Sequence, residues 1–196
     1  MVLLTLPSAL PSILSHKTIE RYIHEGKIKV SPEFEKKDIR PTGIRIHLGR
    51  HILVPEPNQL IEINVPQDLK YKEVDLTKEE FILEPNQFIL GATCESIQTP
   101  RNILAILDGR STIARLGITT HITASILDGT FSQPHVVVLE IKNVGNFRIK
   151  LKFKDPIAMM IFSELTEPVS ATMKTLYDGQ VKVTPPNLNL LTEQVQ

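Results

Sequence analysis

The sequence predicts a mainly β fold, either a sandwich, a barrel or a jelly roll, with one short N-terminal helix and one short internal helix. Apolar segments of roughly four to eight residues follow one another along most of the chain, as expected of strands. Pro, Gly and Asn interrupt these segments at intervals of about ten residues, which is typical of turns between strands. The 196 residues, 41% of them hydrophobic, supply one domain with a core, or one domain with a small appendage.

The first helix is predicted to begin after Ser15 and to end before Gly26. Ser15 can cap the first turn, and Ile19, Tyr22 and Ile23 form one apolar helix face. Residues 1–12 precede this helix as an N-terminal extension. The extension is apolar, but it lacks a basic region and two prolines interrupt it, so no signal peptide is expected.

Strands are predicted where apolar residues alternate with polar ones or form short runs. Alternation is clearest in residues 43–54, where Ile44, Ile46 and Leu48 alternate with Arg45 and His47. A charged segment, residues 67–80, is predicted to be a loop or a hairpin. The remaining strands are expected in residues 60–65, on both sides of the turn within residues 80–93, and in residues 102–107, 135–144, 147–153 and 157–165.

The internal helix is predicted in the segment STIARLG, residues 111–117. Ser111 is its N-cap or first-turn residue, Ile113 and Leu116 are expected to face inward, and Gly117 fits its end. The preceding Arg110 adds a guanidinium next to backbone N–H groups, and these are components of a phosphate site. A capped surface helix with a solvated arginine has the same local pattern, so the motif alone leaves both interpretations open.

Charge and cysteine content exclude several classes of function. The 22 basic and 22 acidic residues balance, which argues against broad binding to nucleic acid or anionic membranes. Cys94 is the single cysteine, so an internal disulfide and the Cys-rich site of the zinc nucleobase deaminases are excluded. No apolar run approaches the roughly 18 residues of a membrane span. A soluble, cytoplasmic protein is therefore expected.

Two carboxylates are candidates for chemistry near the internal helix. Glu140 ends an apolar run and by strand alternation shares a face with Val136 and Val138. A carboxylate on such a face is a candidate general acid or base, although a solvated edge strand or a structural ion pair explains the pattern equally well. Asp128 precedes Gly129, a common turn pair, so a turn is the alternative there.

Read in order, several motifs resemble the dCTP deaminase branch of the dUTPase superfamily. They are GRS-x-x-AR-x-G (109–117), HITASILD (121–128) and VVVLEIKNVG (136–145), with the N-terminal segments 13–30 and 40–49. The resemblance spans about residues 13–180. It implies a distorted β-barrel or jelly roll of the dUTPase-like type in residues 13–170, with a C-terminal arm, residues 171–196, that closes over the site. It also implies a homotrimer with active sites between subunits.

The resemblance implies hydrolytic deamination of dCTP to dUTP and ammonia. No zinc is expected, and Mg²⁺ is expected to arrive with the triphosphate. Glu140 is the implied base that activates water for attack at C4 of cytosine. Ser111 and Arg115 are expected to position the water and the carboxylate, and Ala124 belongs to the same catalytic group.

The resemblance also implies a set of substrate contacts, and it leaves dTTP as a candidate inhibitor. The phosphates are expected at Arg110, Ser111, Thr112 and Arg115, and the sugar 3′-hydroxyl at Asp128. The base is expected at the backbone near Ala124, Val138 and Leu139, beside Glu140. The arm is expected to contribute Tyr177, Gln180 and Lys174.

The chain departs from the family pattern in two segments, and two further functions stay open, the second of them because of these departures. Gly43, Arg45 and His47 stand where serine, aspartate and arginine are usual, and Gly129–Thr130 replaces a Pro-Gly pair. One alternative is a dUTP diphosphatase or a bifunctional enzyme that forms dUMP, because that branch places its base at the position of Asp128. The other is a non-catalytic nucleotide-binding trimer.

Overall fold

The computed structural model describes residues 12–32, 35–63, 65–127, 130–131, 133–173, 175 and 177–188. The helices are α1 (His16–His24) and α2 (Ser111–Arg115), and a 3₁₀ turn spans Lys36–Asp38. The strands are β1 (Lys29–Ser31), β2 (Ile39–Arg40), β3 (Gly43–His47), β4 (His51–Pro55), β5 (Tyr71–Asp75), β6 (Phe81–Leu83), β7 (Phe88–Gln98), β8 (Ile103–Gly109), β9 (Ile118–Thr119), β10 (Ile126–Leu127), β11 (His135–Asn143), β12 (Ile149–Leu151) and β13 (Pro156–Glu164).

Two antiparallel sheets enclose one hydrophobic core, which confirms the predicted mainly β, jelly-roll-like fold. One sheet has the strand order β10-β8-β13-β3-β2. The other has the order β5-β4-β7-β11-β9, and β1 also pairs with β7. A small third sheet pairs β12 with β6. Both large sheets contribute fully buried side chains to the core, among them Ile44, Ile46 and Phe162 from the first and Ile52, Ile89 and Leu139 from the second.

The N-terminal helix forms where the sequence predicts it. Ser15 precedes α1 in an extended conformation, and Gly26 follows it with a positive φ of 68°, which suits a residue without a Cβ. Ile19 is fully buried, and Tyr22 and Ile23 pack against the core. Of the helices that the structure describes, neither has the length and apolar character needed to cross a membrane.

The strand predicted in residues 60–65 is wrong. Residues 60–63 and 65 form no strand, and Leu60 and Ile63 are 94% and 74% exposed. The reason lies in pairing: β4 and β5 already pair with each other along their whole length, so the described residues between them belong to a hairpin loop. Gln59 closes that loop, since its side chain bonds the backbone of Glu56 and Lys70. The charged segment 67–80, predicted to be a loop or a hairpin, instead contains β5, the second strand of the β4–β5 hairpin.

The internal helix is confirmed, with one correction. Ser111 is its first residue, after Arg110 as N-cap, and Ile113 packs against the core. Leu116, expected to face inward, is 37% exposed because it lies past the end of α2 at the C-cap. Gly117 has a φ of 81°, as its predicted role at the helix end requires.

Gly43 is required by the close approach of β3 and β13. A Cβ at this position would collide with the carbonyl oxygen of Met160 and lie 3.2 Å from its carbonyl carbon. We expect Gly43→Ser to lower the free energy of unfolding by about 2 kcal/mol, or roughly 4–8 °C in Tm, because backbone atoms cannot yield as a side chain does. Thermal unfolding measures this, and Gly109→Ser is the matched control, since a Cβ there meets nothing within 4 Å. Equal Tm values for the two variants would contradict the prediction.

Candidate functional site

A cavity of about 630 Å³ lies over the outer face of β11. Strand alternation divides β11 into two faces: Val137, Leu139 and Ile141 are buried in the core, whereas the intervening residues are half-buried. Three of those half-buried residues, Val136, Val138 and Glu140, line the cavity, together with residues of β5, β7, β10, the loop before β10 and the C-terminal arm. The other lining residues include Tyr71, Phe88, Leu90, Ala124, Ile126, Leu127, Tyr177 and Gln180.

Glu140 is the carboxylate of this cavity. It lies opposite Leu90 of β7 and shares the cavity face with Val136 and Val138, which confirms the face predicted from alternation. Its Oε2 accepts a hydrogen bond from the backbone N–H of Ile122 at 2.9 Å. Since a carboxylate has about four acceptor positions, this one bond orients the group and leaves it able to accept a proton from a bound water.

The loop between β9 and β10 is held against Glu140 at two points. Besides the bond from Ile122, the backbone N–H of Glu140 donates to the carbonyl of Thr120 at 3.1 Å. Ala124, further along this loop, lines the same cavity. The predicted catalytic residues Glu140 and Ala124 are thus brought together within one chain. The role of Ile122 was missed, because a backbone donor has no side-chain signal in the sequence.

The described part of the C-terminal arm packs on its own chain. The carbonyl of Gln180 accepts a hydrogen bond from the backbone N–H of Val136 at 2.9 Å, and Tyr177 lines the cavity. Val183 anchors the segment: it is 5% exposed and packs with Leu53, Leu90 and Ala92. The sequence analysis did not identify Val183, although an isolated valine in a polar tail was the available signal.

The cavity wall is mainly apolar, and its polar side chains besides Glu140 include Tyr71, His135 and Gln180. Burial raises the pKa of the Tyr71 phenol, which is the effect of a low-polarity surrounding on a group that gains charge on deprotonation. Val138 contributes its side chain to the wall, whereas the side chain of Leu139 points into the core and leaves only its backbone for a ligand. An apolar wall with a few polar groups suits a flat heterocyclic base.

The predicted phosphate and water-positioning residues lie outside this cavity. Ser111, Thr112 and Arg115 are exposed on α2, and Arg115 makes no ion pair with Glu140. Arg110 donates through Nη1 to the carbonyl of Pro156 at the start of β13. A single chain therefore does not bring the predicted catalytic pair Arg115–Glu140 together.

Three predicted positions cannot be placed. Asp128, its neighbour Gly129 and Lys174 lie outside the described residues. Thr130, the second residue of the Gly129–Thr130 pair that departs from the family pattern, is fully buried. Its hydroxyl is 2.8 Å from that of Thr99. Thr130 is therefore tied to the end of β7.

The departures on β3 belong to a buried polar cluster. Arg45 Nη1 is 3.3 Å from Asp38 Oδ1, and the backbone N–H and Nδ1 of His47 contact the two oxygens of Glu95 at 3.0 and 2.6 Å. Asp38 and Glu95 are each 4% exposed. Buried carboxylates are costly unless they are paired, so Arg45 and His47 are integral to this fold.

Comparison with known proteins identifies relatives over most of the chain. The family model described as dCTP deaminase-like matches residues 13–165. A protein of Methanosphaera stadtmanae named "dCTP deaminase, dUMP-forming" is 33% identical over 164 residues, which are 80% of this chain and 81% of that protein. A protein of the same name from Streptomyces coelicolor is 33% identical over 180 residues, 86% of this chain and 91% of that protein.

A solved structure shares the fold. The crystal structure of 2′-deoxycytidine 5′-triphosphate deaminase from Agrobacterium tumefaciens matches with a TM-score of 0.62 at 18% identity. The match covers 80% of this chain and 49% of that one, so the chain spans about half the length of that protein. At this identity the likeness concerns the arrangement of the strands.

Proposed function

Because the chain belongs to the dCTP deaminase-like family, we propose that it hydrolyses the exocyclic C–N bond of dCTP and that Glu140 is its general base. The single observation that carries this proposal is the position of Glu140. It is a carboxylate oriented by a backbone N–H, in a cavity lined mainly by apolar residues. Ala124 and the backbone of Val138 and Leu139 are the proposed contacts of the cytosine ring.

The proposed reaction needs one carboxylate to carry two protons in turn. Water gives one proton to Glu140 as its oxygen attacks C4 of cytosine, and Glu140 passes that proton to ring N3. The new C4 hydroxyl then gives its proton to Glu140, which passes it to the amino group; the C4–N bond breaks, and ammonia leaves as the C4 carbonyl of uracil forms. Glu140 ends ionised, so the cycle needs no other base. Mg²⁺ enters as part of the substrate, bound to the triphosphate, and the chemistry requires no zinc.

We propose that the cationic half of each site comes from a neighbouring copy in a homotrimer. Arg110, Ser111, Thr112 and Arg115 lie outside the cavity of their own chain, and three of these four residues are exposed on α2. A cyclic trimer repeats one heterologous contact three times, so every cavity receives the same α2 surface. Arg115 of one copy then stabilises the ionised Glu140 of the next.

The proposed end product is dUMP. The resemblance of the sequence motifs leads first to dUTP, but the relatives at 33% identity are named for dUMP formation. In that case a second water attacks the α-phosphorus of dUTP and pyrophosphate leaves. Asp128 is the proposed base of this second step, as in the bifunctional alternative.

Product analysis tests the proposal. Purified protein is incubated with dCTP and Mg²⁺, and ammonia, dUTP, dUMP and pyrophosphate are quantified over time. We expect ammonia and dUMP in equal amounts, and we expect Asp128→Asn to accumulate dUTP instead. Accumulation of dUTP by the unmodified chain would limit its activity to deamination, and nucleotide binding without ammonia release would favour the non-catalytic trimer.

A further inference from the structure

Two arginines project from one face of the five-stranded sheet, at its β2 edge. Arg40 ends β2 and pairs with Gly43 of β3, and Arg45 follows Gly43 by two residues on the same strand. Residues directly opposite each other, and residues two apart in one strand, share a face of the sheet. Since Ile44 and Ile46 point into the core, Arg40 and Arg45 lie together on the outer face.

Arg110 reaches the same region from β8. It follows Gly109, the last residue of β8, and its Nη1 donates to the carbonyl of Pro156 in β13. Pro156 lies opposite His47 of β3. The guanidinium of Arg110 therefore extends across β13 towards β3.

The two buried carboxylates of this region, Asp38 and Glu95, already contact Arg45 and His47. Asp38 Oδ1 lies 3.3 Å from Arg45 Nη1 and 3.7 Å from His47 Nε2. Both oxygens of Glu95 contact His47, one at its Nδ1 and one at its backbone N–H. Among the described residues, the contacts of these two carboxylates are made to Arg45 and His47, and neither carboxylate lies at ion-pair distance from Arg40 or Arg110.

The positive charge of the three arginines is incompletely balanced. Within the described ranges, neither Arg40 nor Arg110 has a carboxylate at ion-pair distance. The pKa of Arg110 is lowered, first by burial and then by the positive charges of Arg45 and Arg40, while Asp38 opposes this effect. The guanidinium of Arg110 is thus close enough to those of Arg45 and Arg40 to be repelled by both.

Arg45 also has one N–H group that makes no hydrogen bond among the described residues. Its Nε is shielded from solvent and donates to no acceptor among the described residues. Buried polar atoms are nearly always hydrogen-bonded in folded proteins, and an unpaired donor on a charged group is costly. An anion that accepts from Arg45 removes this cost and the repulsion together.

We propose that Arg40, Arg45 and Arg110 form one anion site that binds the phosphate groups of the nucleotide, an inference that rests on the proposed function for the identity of the ligand. Guanidinium groups suit this task because their planar donors match phosphate oxygens in pairs. Arg40 and Arg45 extend the contact beyond Arg110, so they select nucleoside triphosphates over monophosphates. His47 and Asp38 hold Arg45 in place.

Direct binding of inorganic tripolyphosphate tests the site without any turnover. Titration calorimetry is performed on the full chain, on Arg40→Gln and on Lys29→Gln, a control that removes an exposed cation of β1 in the other sheet. We expect Kd to rise about fivefold in Arg40→Gln, the effect of one charge at about 4 Å in water, and to stay unchanged in Lys29→Gln. Equal Kd values in all three proteins would overturn the proposal.

A second variant and a kinetic measurement separate this site from the proposed reaction. Arg45→Lys keeps the charge beside Asp38 but removes Nε, and we expect weaker tripolyphosphate binding with an unchanged Tm. Tripolyphosphate is expected to inhibit dCTP deamination competitively, and Arg40→Gln to raise the KM for dCTP with kcat within about twofold. Non-competitive inhibition would overturn the assignment to the nucleotide. If tripolyphosphate binding depends on Arg40 but the protein does not turn over dCTP, the proposed function is contradicted and the anion site is retained.

Discussion

Replacing Glu140 with glutamine is expected to lower kcat for dCTP deamination by about a thousandfold while leaving dCTP binding nearly unchanged. General acid–base catalysis contributes about 10² to 10⁴ in rate, and here one group carries both protons. Glutamine has the same shape and still offers an oxygen to the backbone N–H of Ile122, which Glu140 accepts at 2.9 Å. It cannot take up the proton of the water. Ammonia release under single-turnover conditions measures the chemical step, and calorimetry measures binding.

The control for this variant is Glu79→Gln, which makes the same substitution in an exposed residue after β5. It should retain the full kcat. If Glu140→Gln keeps more than about a tenth of kcat, another group activates the water and the central assignment is wrong. If Glu140→Gln loses dCTP binding as well, Glu140 acts in ground-state recognition rather than in proton transfer.

Mixed trimers of Glu140→Gln and Arg115→Gln are expected to recover about one third of the activity, although each variant alone is nearly inactive. When a site takes Glu140 from one copy and Arg115 from its neighbour, every mixed ring contains one site with both native residues. The structure motivates this expectation, since Arg115 is exposed on α2 and does not line the cavity of Glu140 in its own chain.

Co-expression of the two variants with different affinity tags isolates the mixed trimers by two successive purifications. Rings that carry two differently tagged copies of Glu140→Gln provide the background. Activity of the mixed rings at background level would place both residues of a site in one chain and contradict the shared site. Failure of the two tags to co-purify would contradict the trimer itself.

The fold could be predicted from the sequence wherever the pattern of side chains matches one local geometry. The α1 face of Ile19, Tyr22 and Ile23 and the alternation around Glu140 both formed as expected. Residues 60–65 alternate equally well, yet residues 60–63 and 65 form no strand. Local alternation carries no information about which strands are already paired, and β4 had its partner in β5.

The residues of β3 show that a local sequence pattern also cannot identify the tertiary partners of single residues. The sequence places Gly43, Arg45 and His47 as departures from the family pattern, without a reason for any of them. The structure supplies one for each: Gly43 touches the backbone of Met160, Arg45 pairs with Asp38, and His47 pairs with Glu95. Met160 and Glu95 lie in other strands, and Asp38 lies in the 3₁₀ turn before β2, so no strand pattern identifies them.

By itself, the sequence determined the strand-rich fold, the two helices, the family resemblance and the candidate base Glu140. These follow from local periodicity and from motifs whose members are close together in the chain. Only the tertiary structure decided that the C-terminal arm packs through Val183 beside Glu140, and that α2 presents Arg115 away from that cavity. The physical reason is that burial and charge pairing depend on contacts between distant segments, which sheet pairing and side-chain packing establish.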